Sequence, residues 1–177
     1  MLSTPLAASA RGPWEAAGFV PHLELALMRR SLDASLPAPD HLVIRDADAD
    51  LEGLLEIDRA AFEPFWRFDY NALHEATQAT SRSSLFVIKD GAEGFTGYAV
   101  VGYGHAISYL QRLAVHPDWQ GHGMGRSLLR AAARGAKRTG SKALLLNTQS
   151  ENSGATTLYE SEGFVLLPES LAVLRIS

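Results

Sequence analysis

The residues best suited to chemistry are Gln120-Gly121-His122-Gly123-Met124-Gly125, a glycine-rich turn that leads into an arginine-rich segment. Where such a turn enters a helix it forms an anion cradle. The first N–H groups of a helix have no intrahelical acceptor, and the helix dipole adds partial positive charge at the same end. Glycines let the backbone approach phosphate oxygens with no Cβ in the way. From Gly121 to Lys142 there is no acidic residue, whereas Arg126, Arg130, Arg134, Lys137, Arg138 and Lys142 all fall there. In a chain of net charge -4, this local basic stretch suits a small anionic ligand better than a nucleic acid. The four arginines, four residues apart, make one helical stripe. Arg126, in the first turn, opposes the dipole and is expected at the ligand. The later arginines are expected to form a solvated face.

Context narrows the phosphate ligand. A P-loop needs Gly-Lys-Ser/Thr after the turn, and Gly125-Arg126-Ser127 lacks the lysine. A dinucleotide-binding fold places the turn after the first strand, and here three or four strands come earlier.

The elements that must position this turn follow from periodicity. Leu42 to Arg45 reads as a short strand, and Asp48 to Phe62 as a helix capped by Asp48 with Leu51, Leu54, Leu55 and Ile57-Asp58 at helical spacing. Pro64 ends it, and Asp69 to Ala79 is a second helix. Strands follow at Ser84 to Lys89, Gly97 to Tyr103 and Ser108 to Val115, with turn chemistry at Asp90-Gly91 and Glu93-Gly94. Gly123 to Thr139 is the clearest helix, ended by Gly140. Ala143 to Thr148 is a strand, Ser153 to Ser161 a helix ended by Gly163, and Phe164 to Leu167 and Leu171 to Ile176 are two final strands. The order βααβββαβαββ implies a mixed α/β sheet with helices on both faces.

Ahead of this body, Leu36-Pro37-Ala38-Pro39-Asp40 reads as a linker, which sets residues 1–40 apart as an appendage from a domain at 41–177. The appendage echoes the C-terminus. Trp14-Glu15-Ala16-Ala17-Gly18-Phe19-Val20 with Leu25-Ala26-Leu27-Met28-Arg29 parallels Tyr159-Glu160-Ser161-Glu162-Gly163-Phe164-Val165 with Leu171-Ala172-Val173-Leu174-Arg175. It reads as the tail of a duplicated domain, a helix end plus two strands. Such a unit cannot bury its own apolar face, so it must dock on the body's sheet or on a neighbouring chain, as in a homodimer through this segment or a sheet edge.

The segment Leu110-Gln111-Arg112-Leu113-Ala114-Val115-His116-Pro117 with Gln120 to Gly125 resembles motif A of the GNAT superfamily of N-acetyltransferases. Asn152 with Leu158-Tyr159-Glu160 and Gly163-Phe164 resembles its motif B, and the resemblance covers His41 to the C-terminus. It implies the GNAT fold: a mixed, mostly antiparallel sheet splayed at the fourth and fifth strands. It also implies acetyl-CoA as acyl donor, its pyrophosphate on the turn and its pantetheine beside the fourth strand. That assigns donor contacts to Leu113, Ala114 and Val115, to Gln120, Gly121, His122, Gly123, Met124, Gly125, Arg126 and Ser127, and to Asn152, which also suits a helix cap.

The resemblance implies acetyl transfer to a primary amine by direct attack. The departing thiolate then needs a proton, and Tyr159 is the expected acid, since a phenol with a reference pKa near 10 can supply one. Two turns of helix bring it to the same side as Asn152. Ribosomal-protein alanine N-acetyltransferases, which this chain most resembles, carry a glutamate where Asn147 stands, and asparagine accepts no proton at neutral pH. His105, His116, or a water chain held by Gln149 and Tyr109 remain as candidate bases. The acceptor is expected against Phe62, Glu63, Trp66 and Asn147, because Phe62-Glu63-Pro64-Phe65-Trp66-Arg67-Phe68 offers apolar contact plus an acidic anchor for a peptide amine. A small-molecule amine is the alternative acceptor, and a non-catalytic CoA-binding regulatory module the alternative role.

Composition bounds the rest. With 177 residues and no cysteine, the chain is one domain's length and has no thiolate metal site or cysteine nucleophile. No metal is expected. No signal-like segment or apolar run of roughly 20 residues occurs, so the expectation is a cytoplasmic protein with no membrane partner.

Overall fold

The computed structural model describes residues 3, 5–91 and 94–176. In chain order the elements are β1 (Leu6–Ala7), α1 (Gly12–Ala16), β2 (Phe19–Ser31), β3 (Ile44–Arg45), α2 (Leu51–Ala61), α3 (Tyr70–Gln78), β4 (Arg82–Asp90), β5 (Gly94–Tyr103), β6 (Ile107–Val115), α4 (Met124–Arg138), β7 (Ala143–Gln149), α5 (Ser153–Ser161) and β8 (Val165–Ile176). This is a mixed α/β protein. Its packing divides into two units, Ser31–Leu144 and Met1–Arg30 with Leu145–Ser177, so the chain changes unit within β7.

In Ser31–Leu144, β4, β5 and β6 form an antiparallel meander, and β3 pairs with β4. Alternation along the strands sends Leu85, Val87, Tyr98, Val100 and Ala114 to one face. There they pack on Leu54, Leu55 and Ile57 of α2 and on Leu73 and Ala76 of α3. The other face carries α4 at close range: a methyl group at Gly135 would lie 2.9 Å from Phe86 Cζ, so glycine is what lets helix and sheet meet. In β6, Val100 pairs with Arg112 but Val101 with Leu110, which leaves Gln111 as the extra residue of a bulge.

Three local expectations are corrected. Asp50, not Asp48, caps α2, its carboxylate accepting from Glu52 and Gly53; Asp48 instead donates its N–H to Asp46. The strand expected from Leu42 shrinks to Ile44–Arg45. The final two strands are one, β8, which passes the N–H-less Pro168 through an irregularity in register rather than ending there. In the turn after β4, Gly91 is left-handed at φ 68°, while Glu93 lies outside the described residues.

In the second unit β8 has β1 on one edge and β2 on the other, both antiparallel. The appendage's two expected strands are the single β2. Its register carries the sequence echo into geometry. Val20 pairs with Arg175, Leu25 with Leu171, and Arg29 with Val165. Val20 echoes Val165 and Arg29 echoes Arg175, so the outer pairs are one pair with roles exchanged about the central leucines. The flanking aromatics match as well: Trp14 meets Phe19 at 4.9 Å and Tyr159 meets Phe164 at 5.9 Å between ring centres. The partner that the appendage requires is therefore the C-terminal strand of its own chain, along this edge.

A chain starting at residue 33 removes β2 and also β1, and leaves both edges of β8 without these partners. It should self-associate, as read by light scattering at increasing concentration. A monodisperse monomer with unchanged thermal unfolding would show that β2 is dispensable.

Candidate active site

Four helices of nine or more residues begin in different ways. Asp50, Asp69 and Asn152 cap α2, α3 and α5 through side-chain oxygens. α4 begins at Gly123 with no side-chain cap and no acidic residue in its first turn. Its positive end is thus left for an external anion. Gly121 and Gly123 are both left-handed, at φ 79° and 83°, a conformation that disfavours any side chain. At Gly121 a Cβ would meet nothing within 4 Å, so the turn is open on that side. These features fit a phosphate group.

The turn is braced on its inner side. Gln120 Nε2 donates to the Val115 carbonyl at 3.0 Å, tying the turn to the end of β6. His122 is exposed, and its Nδ1 lies 2.9 Å from the Gln120 carbonyl. Ser127 is buried. Its amide donates to the Gly123 carbonyl, and its hydroxyl accepts from the amides of Asp40 and His41 at 3.2 and 3.1 Å. The helix has already used the Ser127 amide, which therefore adds no donor to the cradle.

Of the later arginines, Arg138 is exposed as expected, but Arg130 and Arg134, with the neighbouring Lys137, are not a solvated face. Arg130 Nη1 donates to Asp40 Oδ2 and the Ala38 carbonyl, Arg134 Nη1 to the Leu36 carbonyl, and Lys137 Nζ to the carbonyls of Asp33 and Ala34. The proline-containing linker has no ladder to satisfy its carbonyls, and these side chains satisfy them. What reads as a spacer is a strap bound along α4.

In the second unit, Asn152 caps α5, with Oδ1 accepting from Ala155 at 3.1 Å, which leaves its amide nitrogen outside that bond. Tyr159 is buried on α5 and packs on Phe164. Asn147 is exposed on β7. Among the candidate bases, His116 sits at the end of β6 with Nδ1 accepting from the Asp118 amide at 3.3 Å. His105 is exposed between β5 and β6.

Residues 81–166 match the family described as the acetyltransferase (GNAT) domain. Over those residues the chain is similar to GNAT acetyltransferases. Among relatives it is 28% identical over 155 residues to a mycothiol acetyltransferase of Actinosynnema mirum, covering 80% of this chain. The chain spans about half the length of that relative, 51%. Among solved structures it resembles the ribosomal-protein-S18-alanine N-acetyltransferase of Escherichia coli, with TM-score 0.64 and 21% identity over 75% of this chain and 90% of that one. It also resembles a tandem GNAT protein from the clavulanic acid biosynthesis pathway, with TM-score 0.69 and 16% identity over 96% and 62%. These two likenesses carry the fold. No helix among the described residues is long and apolar enough to cross a membrane.

The aromatic segment after α2 is held by a network built on Asp58. That carboxylate is 0% exposed. It receives Arg112 Nε and Nη2, the Tyr98 hydroxyl and the Phe68 amide, all at 2.7 Å. Arg112 Nη2 also donates to the Trp66 carbonyl at 2.7 Å, and the guanidinium lies between the rings of Phe62 and Phe68, 3.6 and 4.0 Å from their centres. Burial, and then the adjacent Asp58 charge, push the Tyr98 phenol well above its ordinary value, so it remains a donor. Phe62 and Phe68 are thus committed to the cation. Phe65 and Glu63 are exposed, while Trp66 is half-buried with its ring edge-on to Phe65 at 4.8 Å.

Asp58 and Arg112 hold this segment in place and are positions that motif reading passes over. Their signal is a charged residue inside each of two apolar patterns, the buried face of α2 and the motif strand β6. Opposite charges in that situation must find each other. Arg112→Ala leaves Asp58 buried without its cation and should cost about 3–5 kcal/mol. Tyr98→Phe, which removes one donor, should cost about 1–3 kcal/mol. Urea unfolding of both variants measures the difference.

Proposed function

We propose that this chain transfers an acetyl group from acetyl-CoA to a primary amine, with the pyrophosphate held on the turn from Gln120 to Arg126. The observation that carries the reading is the start of α4, a left-handed, glycine-built helix entrance with no cap and no carboxylate. Leu113, Ala114 and Val115 on β6 supply main-chain positions for the pantetheine arm. Arg126 adds charge at the diphosphate, and Asn152 offers its amide nitrogen to the pantetheine.

In the proposed reaction the amine nitrogen attacks the thioester carbonyl, and collapse of the adduct breaks the C–S bond. The leaving sulfur takes a proton from the Tyr159 hydroxyl, the amine proton passes to solvent through a relay that does not involve Asn147, and the Tyr159 phenolate regains its proton from solvent before the next turnover. Tyr159→Phe keeps the ring and its packing on Phe164 but removes the proton. Its turnover should fall tenfold or more at unchanged acetyl-CoA affinity, read by release of free CoA thiol and by calorimetric titration. Unchanged turnover removes Tyr159 from the mechanism. Binding without any turnover on a panel of amines would instead identify a CoA-sensing module.

For the acceptor we propose a peptide or protein N-terminus, received against Phe65, Trp66 and Glu63. The support is an exposed aromatic and an exposed carboxylate on a segment whose backbone the Asp58 network holds still. A small-molecule amine is the second reading, favoured by the relatives named for mycothiol. Glu63→Gln with Trp66→Ala should raise KM for a peptide amine about tenfold while sparing KM for acetyl-CoA. An effect confined to a small amine favours the second reading.

A further inference from the structure

His41 lies at the end of the strap, 81 residues from the turn, yet its Nε2 is 2.8 Å from the His122 carbonyl. A carbonyl can only accept, so Nε2 carries the proton and donates. The position of the ring is fixed by its own backbone. The amides of Asp40 and His41 both donate to Ser127 Oγ, and Arg130 binds Asp40 Oδ2 at 2.9 Å.

The bond matters because of what shares the same peptide plane. In a trans peptide the C=O of His122 and the N–H of Gly123 point in opposite directions. Holding the carbonyl toward His41 therefore aims the Gly123 N–H away from His41. Gly123 sits at φ 83° and lacks a Cβ, so its own conformational freedom gives little resistance to rotation of that plane. A rotated plane would turn a carbonyl lone pair, rather than a donor, toward an anion. His41 also closes the space beside Gly123, where a Cβ would stand 3.4 Å from Nε2.

We infer that His41 is a positioning residue of the donor site: it locks the 122–123 peptide so that the turn presents N–H groups to the diphosphate of acetyl-CoA. The inference rests on the reading of the turn as the diphosphate site and adds a residue outside the glycine motif to it. The strap belongs to the site as much as to the fold, since Ser127 and Arg130 act on the turn through His41.

The test compares two acyl donors on the full chain, acetyl-CoA and S-acetyl-pantetheine, which lacks the diphosphate. For His41→Ala, kcat/KM with acetyl-CoA should fall about tenfold, as expected for loss of one organising hydrogen bond, with kcat at saturation kept. With S-acetyl-pantetheine, kcat/KM should not change. His41→Gln, which retains an N–H donor of similar reach, should recover most of the loss. Equal loss on both donors would show a purely structural role, and no loss on either would show that the bond is idle; each overturns the inference. Failure of the unmodified chain to bind acetyl-CoA in calorimetry would overturn the reading of the turn itself, a separate outcome.

Discussion

The carboxylate of Asp58 sits in the apolar layer between α2 and the sheet, where an unpaired charge would be prohibitively costly. Its partners are therefore not optional. Arg112 has to reach it from β6, Tyr98 from β5 and the Phe68 amide from the segment after α2. Each of these bonds fixes a piece of chain that apolar packing alone would leave free to shift. The bulge at Gln111 lies beside Arg112, so the local twist of β6 and the course of the aromatic segment are set at one point. As a source of stability such a pair is weak, because desolvation offsets most of its attraction. As a constraint it is strong, since any other arrangement leaves a charge in the core unsatisfied.

A second constraint acts on the opposite face of the same unit. The strap from Asp33 to His41 has two prolines and forms no ladder, so its carbonyls need donors from elsewhere. Arg130, Arg134 and Lys137 provide them from α4. Arg130 and Arg134, four residues apart, and Lys137, three further on, therefore lie on the helix side that meets an extended segment laid along it. This explains why a chain of net negative charge keeps an uninterrupted basic run there: acidic residues on that face would repel the strap's carbonyls.

Much of this was legible in the sequence where backbone conformation leaves a mark on residue type. The glycines at 121 and 123 announce left-handed turns, and α5 runs from Ser153 to Ser161 as its periodicity and Gly163 require. Capping was legible only in kind: Asp48 and Asp50 are chemically equal, and the choice between them depends on where Leu51 first meets the core. The final strand was misread as two because Pro168 signals interruption, while an irregular register lets a strand pass it. Arg130 and Arg134 were misread as solvated because a helix surface cation looks the same in sequence whether it faces water or a neighbouring segment. The Asp58–Arg112 pair was visible as two anomalies, but nothing local says that 54 residues of separation close to 2.7 Å.

The same distinction explains why the two halves of the proposed reaction stand on unequal ground. A diphosphate is recognised by main-chain N–H groups and a helix end, and glycine is the residue through which sequence encodes exposed main chain. An amine acceptor is recognised by side chains on a segment whose position depends on long-range contacts. Residues 62–68 illustrate the point: four aromatics look equivalent in sequence, but two of them lie against Arg112, while Phe65 is exposed and meets the half-buried Trp66 edge-on. The division between ring and ligand duty is made by Arg112, which lies next to the residue assigned to the pantetheine arm. Under the proposed assignment, a change at that arginine acts on the segment offered to the amine and on the strand offered to acetyl-CoA together, so the two proposed specificities are coupled there.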